Sequence, residues 1–113
     1  MPWDERDAAR FLGSYLTEPK PAVQFERPHR PRDEKAFKLA AMRSGLRLDR
    51  RTQLLYDARH LFINGDVMAW PARAAGTLKK LANERRLTGA ELRRSAPLKV
   101  LYRWYRDGFV HLD

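Results

Sequence analysis

Three histidines, at positions 29, 60 and 111, are the side chains best suited to acid–base or metal chemistry in this sequence. His111-Leu112-Asp113 spells H-x-D, two of the three ligands of a 2-His-1-carboxylate iron site. No second histidine follows it in this sequence and no strand-rich barrel surrounds it, so the match is read as chance. His29 lies among prolines and arginines, which points to a solvated side chain. His60 opens a short strand and suits a polar contact against a sheet. Asp57 and Asp66 border the same strand pair, and nothing pairs them as acid and base. There is no cysteine, which excludes disulfides, thiolate metal sites and cysteine nucleophiles together and fits a reducing compartment. Gly-rich phosphate loops, serine elbows and zinc spacings are also missing. The expectation is a chain with no catalytic, cofactor-binding or metal-binding residue of its own.

What remains is charge. The chain is formally +9, with 23 Lys and Arg against 14 Asp and Glu. Residues 27–51 carry a net +6 and residues 73–106 a net +8, around a nearly neutral middle, while residues 1–26 are net −2. Such blocks attract phosphate backbone or acidic protein surface; the plainer reading is that they solvate helix faces. The strongest local pattern is 78–95, where a helix, a turn with Gly89 and a second helix look superficially like a helix-turn-helix. Lys79, Lys80, Arg85, Arg86, Arg93 and Arg94 are its candidate nucleic-acid contacts. The second helix has only about seven residues before Pro97, which makes it a weak reader of a major groove.

The elements that would position these groups follow from period and punctuation. The length allows one small domain plus an appendage. Leu and Ala supply 29 of the 49 apolar residues and Val plus Ile only 5, which favours helices with a few strands over an all-β fold. Asp4 is a candidate N-cap for a helix on which Ala8, Phe11, Leu12, Tyr15 and Leu16 recur at i, i+3, i+4, i+7 and i+8. Gly13 weakens that helix slightly. Four prolines between 19 and 32 make an extended connector, with Val23 and Phe25 alternating as a docked strand. Asp33 caps a helix over roughly 34–44 that stops at Gly45. Short strands are expected at 46–48, 52–56 and 109–112, the last closing the sheet. Asn64-Gly65 between apolar alternations favours a two-residue type I′ hairpin. That loop pairs Ile63 with Asp66, Phe62 with Val67, Leu61 with Met68 and His60 with Ala69. Both hairpin faces carry apolar groups, so both should be covered. Thr88 and Glu91 match a capping box. Pro97 opens a last helix with Leu98, Leu101, Tyr102 and Tyr105 as its main stripe, widened by Val100 and Trp104. The expected fold is α+β: one amphipathic helix over 1–18, a Pro-rich connector over 19–32, and a winged-helix-like domain with a small antiparallel sheet over 33–113. No apolar run approaches the ~20 residues of a membrane span, and the N-terminus lacks a signal peptide's apolar stretch. A cytoplasmic chain with no membrane partner is therefore expected.

Several short motifs add to this reading. Phe11-Leu12-Gly13-Ser14-Tyr15-Leu16-Thr17-Glu18-Pro19-Lys20-Pro21, Leu54-Leu55-Tyr56-Asp57, Leu61-Phe62-Ile63-Asn64-Gly65-Asp66 and Trp104-Tyr105-Arg106-Asp107-Gly108-Phe109 occur in that order. Together they resemble the C-terminal third of the bacterial ribosomal oxygenases, cupin/JmjC-type enzymes that hydroxylate an arginine of a ribosomal protein with Fe(II) and 2-oxoglutarate. That family's architecture is a catalytic jelly roll, a helical dimerisation region and a C-terminal winged-helix domain. The resemblance implies that residues 1–18 are the last dimerisation helix and that the winged-helix domain follows from about residue 28. It implies no catalytic residue here, because the family's iron and 2-oxoglutarate ligands lie in the upstream jelly roll; His111 and Asp113 are not their equivalents. The implied function is a non-catalytic accessory domain that supports assembly or substrate engagement. Its implied partners are its own catalytic domain, a second protomer, and a ribosomal protein or RNA. Two other readings stay open. One is a stand-alone basic winged helix that binds nucleic acid. The other is a protein-interaction module whose self-association face is Phe11, Leu12, Tyr15 and Leu16.

Overall fold

The computed structural model describes residues 5–19, 23–70, 74–94 and 96–113, without the side chains of 5–9 and 11. Asp4 as an N-cap, and the side chains of Ala8 and Phe11 in the apolar stripe, lie outside the described residues. The helices are α1 (Glu5–Thr17), α2 (Glu34–Ser44), α3 (Ala75–Glu84), α4 (Gly89–Arg94) and α5 (Leu98–Arg106). The strands are β1 (Leu46–Leu48), β2 (Leu54–Tyr56), β3 (His60–Ile63), β4 (Asp66–Ala69), β5 (Arg86–Leu87) and β6 (Val110–Leu112).

Local chemistry sets most of these boundaries. The Asp33 carboxylate accepts from the Ala36 amide at 2.7 Å and starts α2, and Gly45 ends it by donating to the Ala41 carbonyl at 2.8 Å. At α4 the capping box closes reciprocally. The Glu91 amide donates to the Thr88 hydroxyl at 3.2 Å, and the Thr88 amide donates to the Glu91 carboxylate at 3.3 Å. The hairpin turns on Asn64 (φ 47°) and Gly65 (φ 91°), the left-handed pair that a type I′ turn requires. Its register is the one expected, Ile63↔Asp66 through His60↔Ala69.

The strands form two separate three-stranded antiparallel sheets, β5-β1-β6 and β2-β3-β4. The last strand closes β5-β1-β6 by pairing with β1, placing Arg47 opposite His111 and Leu48 opposite Val110. Its path is set at Gly108, where a left-handed φ of 83° reverses the chain after α5. The core lies between the sheets and the helices. Phe37, Leu46, Leu61, Leu78, Leu81 and Leu101 are fully buried there, each stabilising the fold by about 1.5–3 kcal/mol.

The connector departs from expectation. Val23 and Phe25 form no strand. Both edges of β1 are already taken by β5 and β6, and Pro28 and Pro31 have no amide to donate. Docking is by side chains. The Phe25 ring meets Phe109 edge-on at 4.9 Å, and the Arg51 guanidinium lies 5.8 Å from its centroid. Further on, the Arg32 amide donates to the Tyr105 hydroxyl at 3.0 Å and the Tyr102 hydroxyl donates to the Arg32 carbonyl at 2.9 Å.

Helix α1 lies across β2-β3-β4, so the hairpin is covered on both faces as expected. Leu61 and Ile63 face the core, and Phe62, 3% exposed, faces α1. Gly13 makes this approach possible, because a Cβ there would lie 2.5 Å from the Phe62 ring. Beside it the Ser14 hydroxyl donates to the Gly65 carbonyl at 2.6 Å, and the Gly65 amide donates to the buried Thr17 hydroxyl at 2.9 Å. Gly13→Ala isolates this contact. Alanine raises helix propensity by ~1 kcal/mol, yet its methyl meets the Phe62 ring. The expected outcome is a net loss of about 1–3 kcal/mol in denaturant unfolding, with faster amide exchange along α1. A gain in stability would show that the helix does not seat on this ring.

Candidate functional site

The groups that could do chemistry are held apart. His111 Nε2 lies 2.7 Å from the Asp49 carboxylate, while Asp113 pairs with Arg47 and Arg86, each at 3.4 Å. Residues two apart in a strand share a face, but Asp113 lies just past the end of β6 and turns to Arg47 of β1 and Arg86 of β5, so the two ends of the H-x-D motif serve different partners. His29 is exposed in the connector. The His60 ring sits 3.5 Å from the Asp57 carboxylate, which also accepts the amides of Arg59 at 2.8 Å and His60 at 2.6 Å. Partial burial pushes the Asp57 carboxyl up, but those amides and the His60 ring outweigh it and hold the pKa below its ordinary value. The Asp57 carboxylate thus caps the turn into β3. Among the described residues no three His, Cys, Asp or Glu side chains converge on a point that could hold a metal ion. The donor set of the described residues does not fit an iron site.

Asp49 organises the densest polar cluster. It follows β1 and is 4% exposed. Its carboxylate accepts from the Arg51 amide at 2.8 Å, from the Arg51 side chain at 2.9 and 3.2 Å, and stands against His111. Its backbone is equally engaged: the amide donates to the Phe109 carbonyl at 2.8 Å, and the carbonyl accepts the Arg85 guanidinium at 2.9 Å. Burial alone would raise this carboxyl's pKa. The hydrogen bonds from Arg51 and His111 win and hold it well below the usual carboxylate range.

All six candidate phosphate contacts are exposed, and five of them also bond or stack on groups within the chain. Lys79 lies over the rings of Tyr56 and Trp70, at 5.7 and 5.6 Å. Lys80 pairs with Glu91 at 3.0 Å and Glu84 at 3.5 Å, and the Glu91 hydrogen bond raises its pKa. Arg85 ends α3 in the left-handed region (φ 65°) and donates to the Asp49 and Thr52 carbonyls. Arg86 reaches Asp113. The Arg93 guanidinium donates to the Met42 carbonyl, clamping α4 to α2. Arg94 is exposed, with no hydrogen bond or ion pair to another described residue.

The N-terminal stripe behaves differently. Leu12, Tyr15 and Leu16 are 55, 65 and 50% exposed, while Gly13, Ser14 and Thr17 form the face that docks. Hydrophobic periodicity marks the apolar stripe but not the face that docks. The spacing Gly13-Ser14-x-x-Thr17 was the available signal, since small residues at i, i+1 and i+4 share one side of a helix.

This geometry has known counterparts. A ROXA-like winged helix family model matches residues 1–111. The search of curated proteins found no match. Among solved structures, the Escherichia coli ribosomal oxygenase YcfD superposes with a TM-score of 0.78 at 17% identity, over 97% of this chain and 31% of that one. The same protein in complex with cobalt and 2-oxoglutarate gives the same values, and its complex with cobalt and succinic acid a TM-score of 0.77. The chain thus spans about a third of that protein's length, and at this identity the likeness is one of fold.

The Asp49 cluster yields a pH test. A carboxyl whose folded pKa is depressed adds stability above its unfolded pKa, about 4, and loses it as pH falls from there toward the folded value. Denaturant midpoints should therefore drop steeply below about pH 4. Asp49→Asn should lose about 2–3 kcal/mol at pH 7 and flatten that acid limb. An acid limb unchanged in the variant would exclude Asp49 as its source.

Proposed function

This chain belongs to the ROXA-like winged helix family, and from that premise we propose that it is the non-catalytic accessory domain of a ribosomal oxygenase. One observation carries the reading: α1 is anchored to the hairpin through Gly13, Ser14 and Thr17 and so presents Leu12, Tyr15 and Leu16 outward in a fixed orientation. A contiguous apolar stripe held on the outside of a folded domain is an assembly surface. The residues past the connector then act as the base that sets its direction. In this reading residues 1–18 belong to a dimerisation region, the connector spans 19–32 and the winged helix fills 33–113. The partners are the enzyme's own catalytic domain and a second protomer, in the cytoplasm. Iron and 2-oxoglutarate are held by that catalytic domain. Among the described residues no helix is long and apolar enough to cross a membrane.

Two measurements test this. The purified 113-residue chain, given Fe(II), 2-oxoglutarate and ribosomal-protein peptides, should form no hydroxylated product by mass spectrometry. Product formation would overturn the non-catalytic assignment. In sedimentation, the chain should self-associate as concentration rises. Leu16→Asp should abolish that association while changing unfolding stability by less than about 0.5 kcal/mol, as for an exposed position. A monomer at every concentration, or a variant that associates equally, would remove the stripe as the contact. A low-salt mobility shift with RNA or DNA, lost in Arg93→Ala/Arg94→Ala, would favour the nucleic-acid reading instead.

A further inference from the structure

Strand β4 is one of the two outer strands of β2-β3-β4, and among the described residues nothing pairs with its far side. The two-residue turn makes Ile63↔Asp66 and Leu61↔Met68 the hydrogen-bonded pairs, so the amide and carbonyl groups of Val67 and Ala69 point away from β3. No hydrogen bond joins them to another described residue. Beside this edge runs a groove of about 360 Å³ between β4 and α5. Met68, Val100 and Trp104 supply apolar lining, and Asp66, Asp107 and Arg103 supply its charges. None of the three charged side chains has an ion-pair partner among the described residues. Two carboxylates against one guanidinium leave the groove net negative on a chain of net +9.

We propose that the β4 edge is a docking site for an extended cationic peptide, which adds to the sheet as a fourth strand and lays alternate side chains into the groove. Unpaired strand-edge groups give such a ligand main-chain hydrogen bonds, and a neighbouring groove reads every second side chain. Asp66 and Met68 lie on the groove side of β4, two residues apart. The peptide they select has Lys or Arg opposite Asp66 and Asp107, and a Leu-sized side chain two residues away opposite Met68, Val100 and Trp104. Charge complementarity chooses this occupant over a second copy of β4, which would set Asp66 near another Asp66. The site is separate from the α1 stripe, so either can fail without the other.

The probe is the blocked peptide Thr-Arg-Thr-Leu-Thr, with Thr-Glu-Thr-Leu-Thr as its control, titrated into the 113-residue chain by amide NMR. Binding should shift the Val67 and Ala69 amides and protect them from exchange, and the Glu peptide should bind at least tenfold more weakly. Asp66→Lys/Asp107→Lys should reverse that preference. Val67→Pro removes one outward amide at a position where an edge strand tolerates proline, and should weaken the Arg peptide at least fivefold with the circular dichroism spectrum unchanged. If Val67→Pro unfolds the chain, a probe N-methylated at each central residue in turn tests the same bonds. No response at Val67 and Ala69 up to millimolar peptide would overturn the proposal. So would equal affinity for the two peptides, or a dimer of the chain that Val67→Pro dissolves.

Discussion

A buried carboxylate holds the two halves of this domain in register. Asp49 sits where β1 leaves its sheet and the chain sets out for the second one, and it is met there by Arg51, His111, Phe109 and Arg85. A charge removed from water costs several kcal/mol unless its lone pairs are satisfied. That cost makes the arrangement specific, because the carboxylate is stable only when the end of α3, the last strand and the 49–52 turn all arrive together. Thr52 repeats the logic, its hydroxyl donating to the Phe109 carbonyl at 2.7 Å. Core packing by Leu46, Leu61 and Leu101 supplies the driving force, but leucines tolerate sliding in a way that a buried ion pair does not.

The same constraint explains how a strongly basic chain keeps so few cations free at its most suggestive motif. Two basic blocks, far apart in sequence, are threaded through a small fold whose turns and helix ends present carbonyls and carboxylates. Arg85 and Arg93 satisfy backbone carbonyls, Arg51 and Lys80 satisfy carboxylates, and Lys79 covers aromatic rings. Beside these cations the surface also carries an apolar helix face and a net-negative groove.

Features specified by near neighbours were legible from the residues alone. Asn64-Gly65 fixes a hairpin register without help from the rest of the molecule, and Thr88 with Glu91, or Asp33 with Ala36, closes a cap within three residues. Features that depend on distant partners were not. Arg85 and Asp49 are 36 positions apart, and Arg93 and Met42 are 51 apart, so nothing local marks either arginine as structural. Gly13 shows the reverse error. Helix propensity describes it as a defect, whereas tertiary packing makes it the point of closest approach to Phe62. The Val23–Phe25 alternation failed for a related reason: a strand period needs an open partner edge, and β1 had none to offer.

The anchoring of α1 carries a mechanical consequence. Ser14 and Thr17 grip the amide and carbonyl of a single residue, Gly65, at the apex of the turn. The helix is thereby keyed in rotation as well as in place, since each residue turns it by about 100°. Slipping the key by one position would swing Leu12 and Leu16 away from their outward direction and break both bonds at once. A load on the outer face of α1 is therefore borne at Gly65, the tip of the hairpin, through the same two bonds that set the helix's rotation.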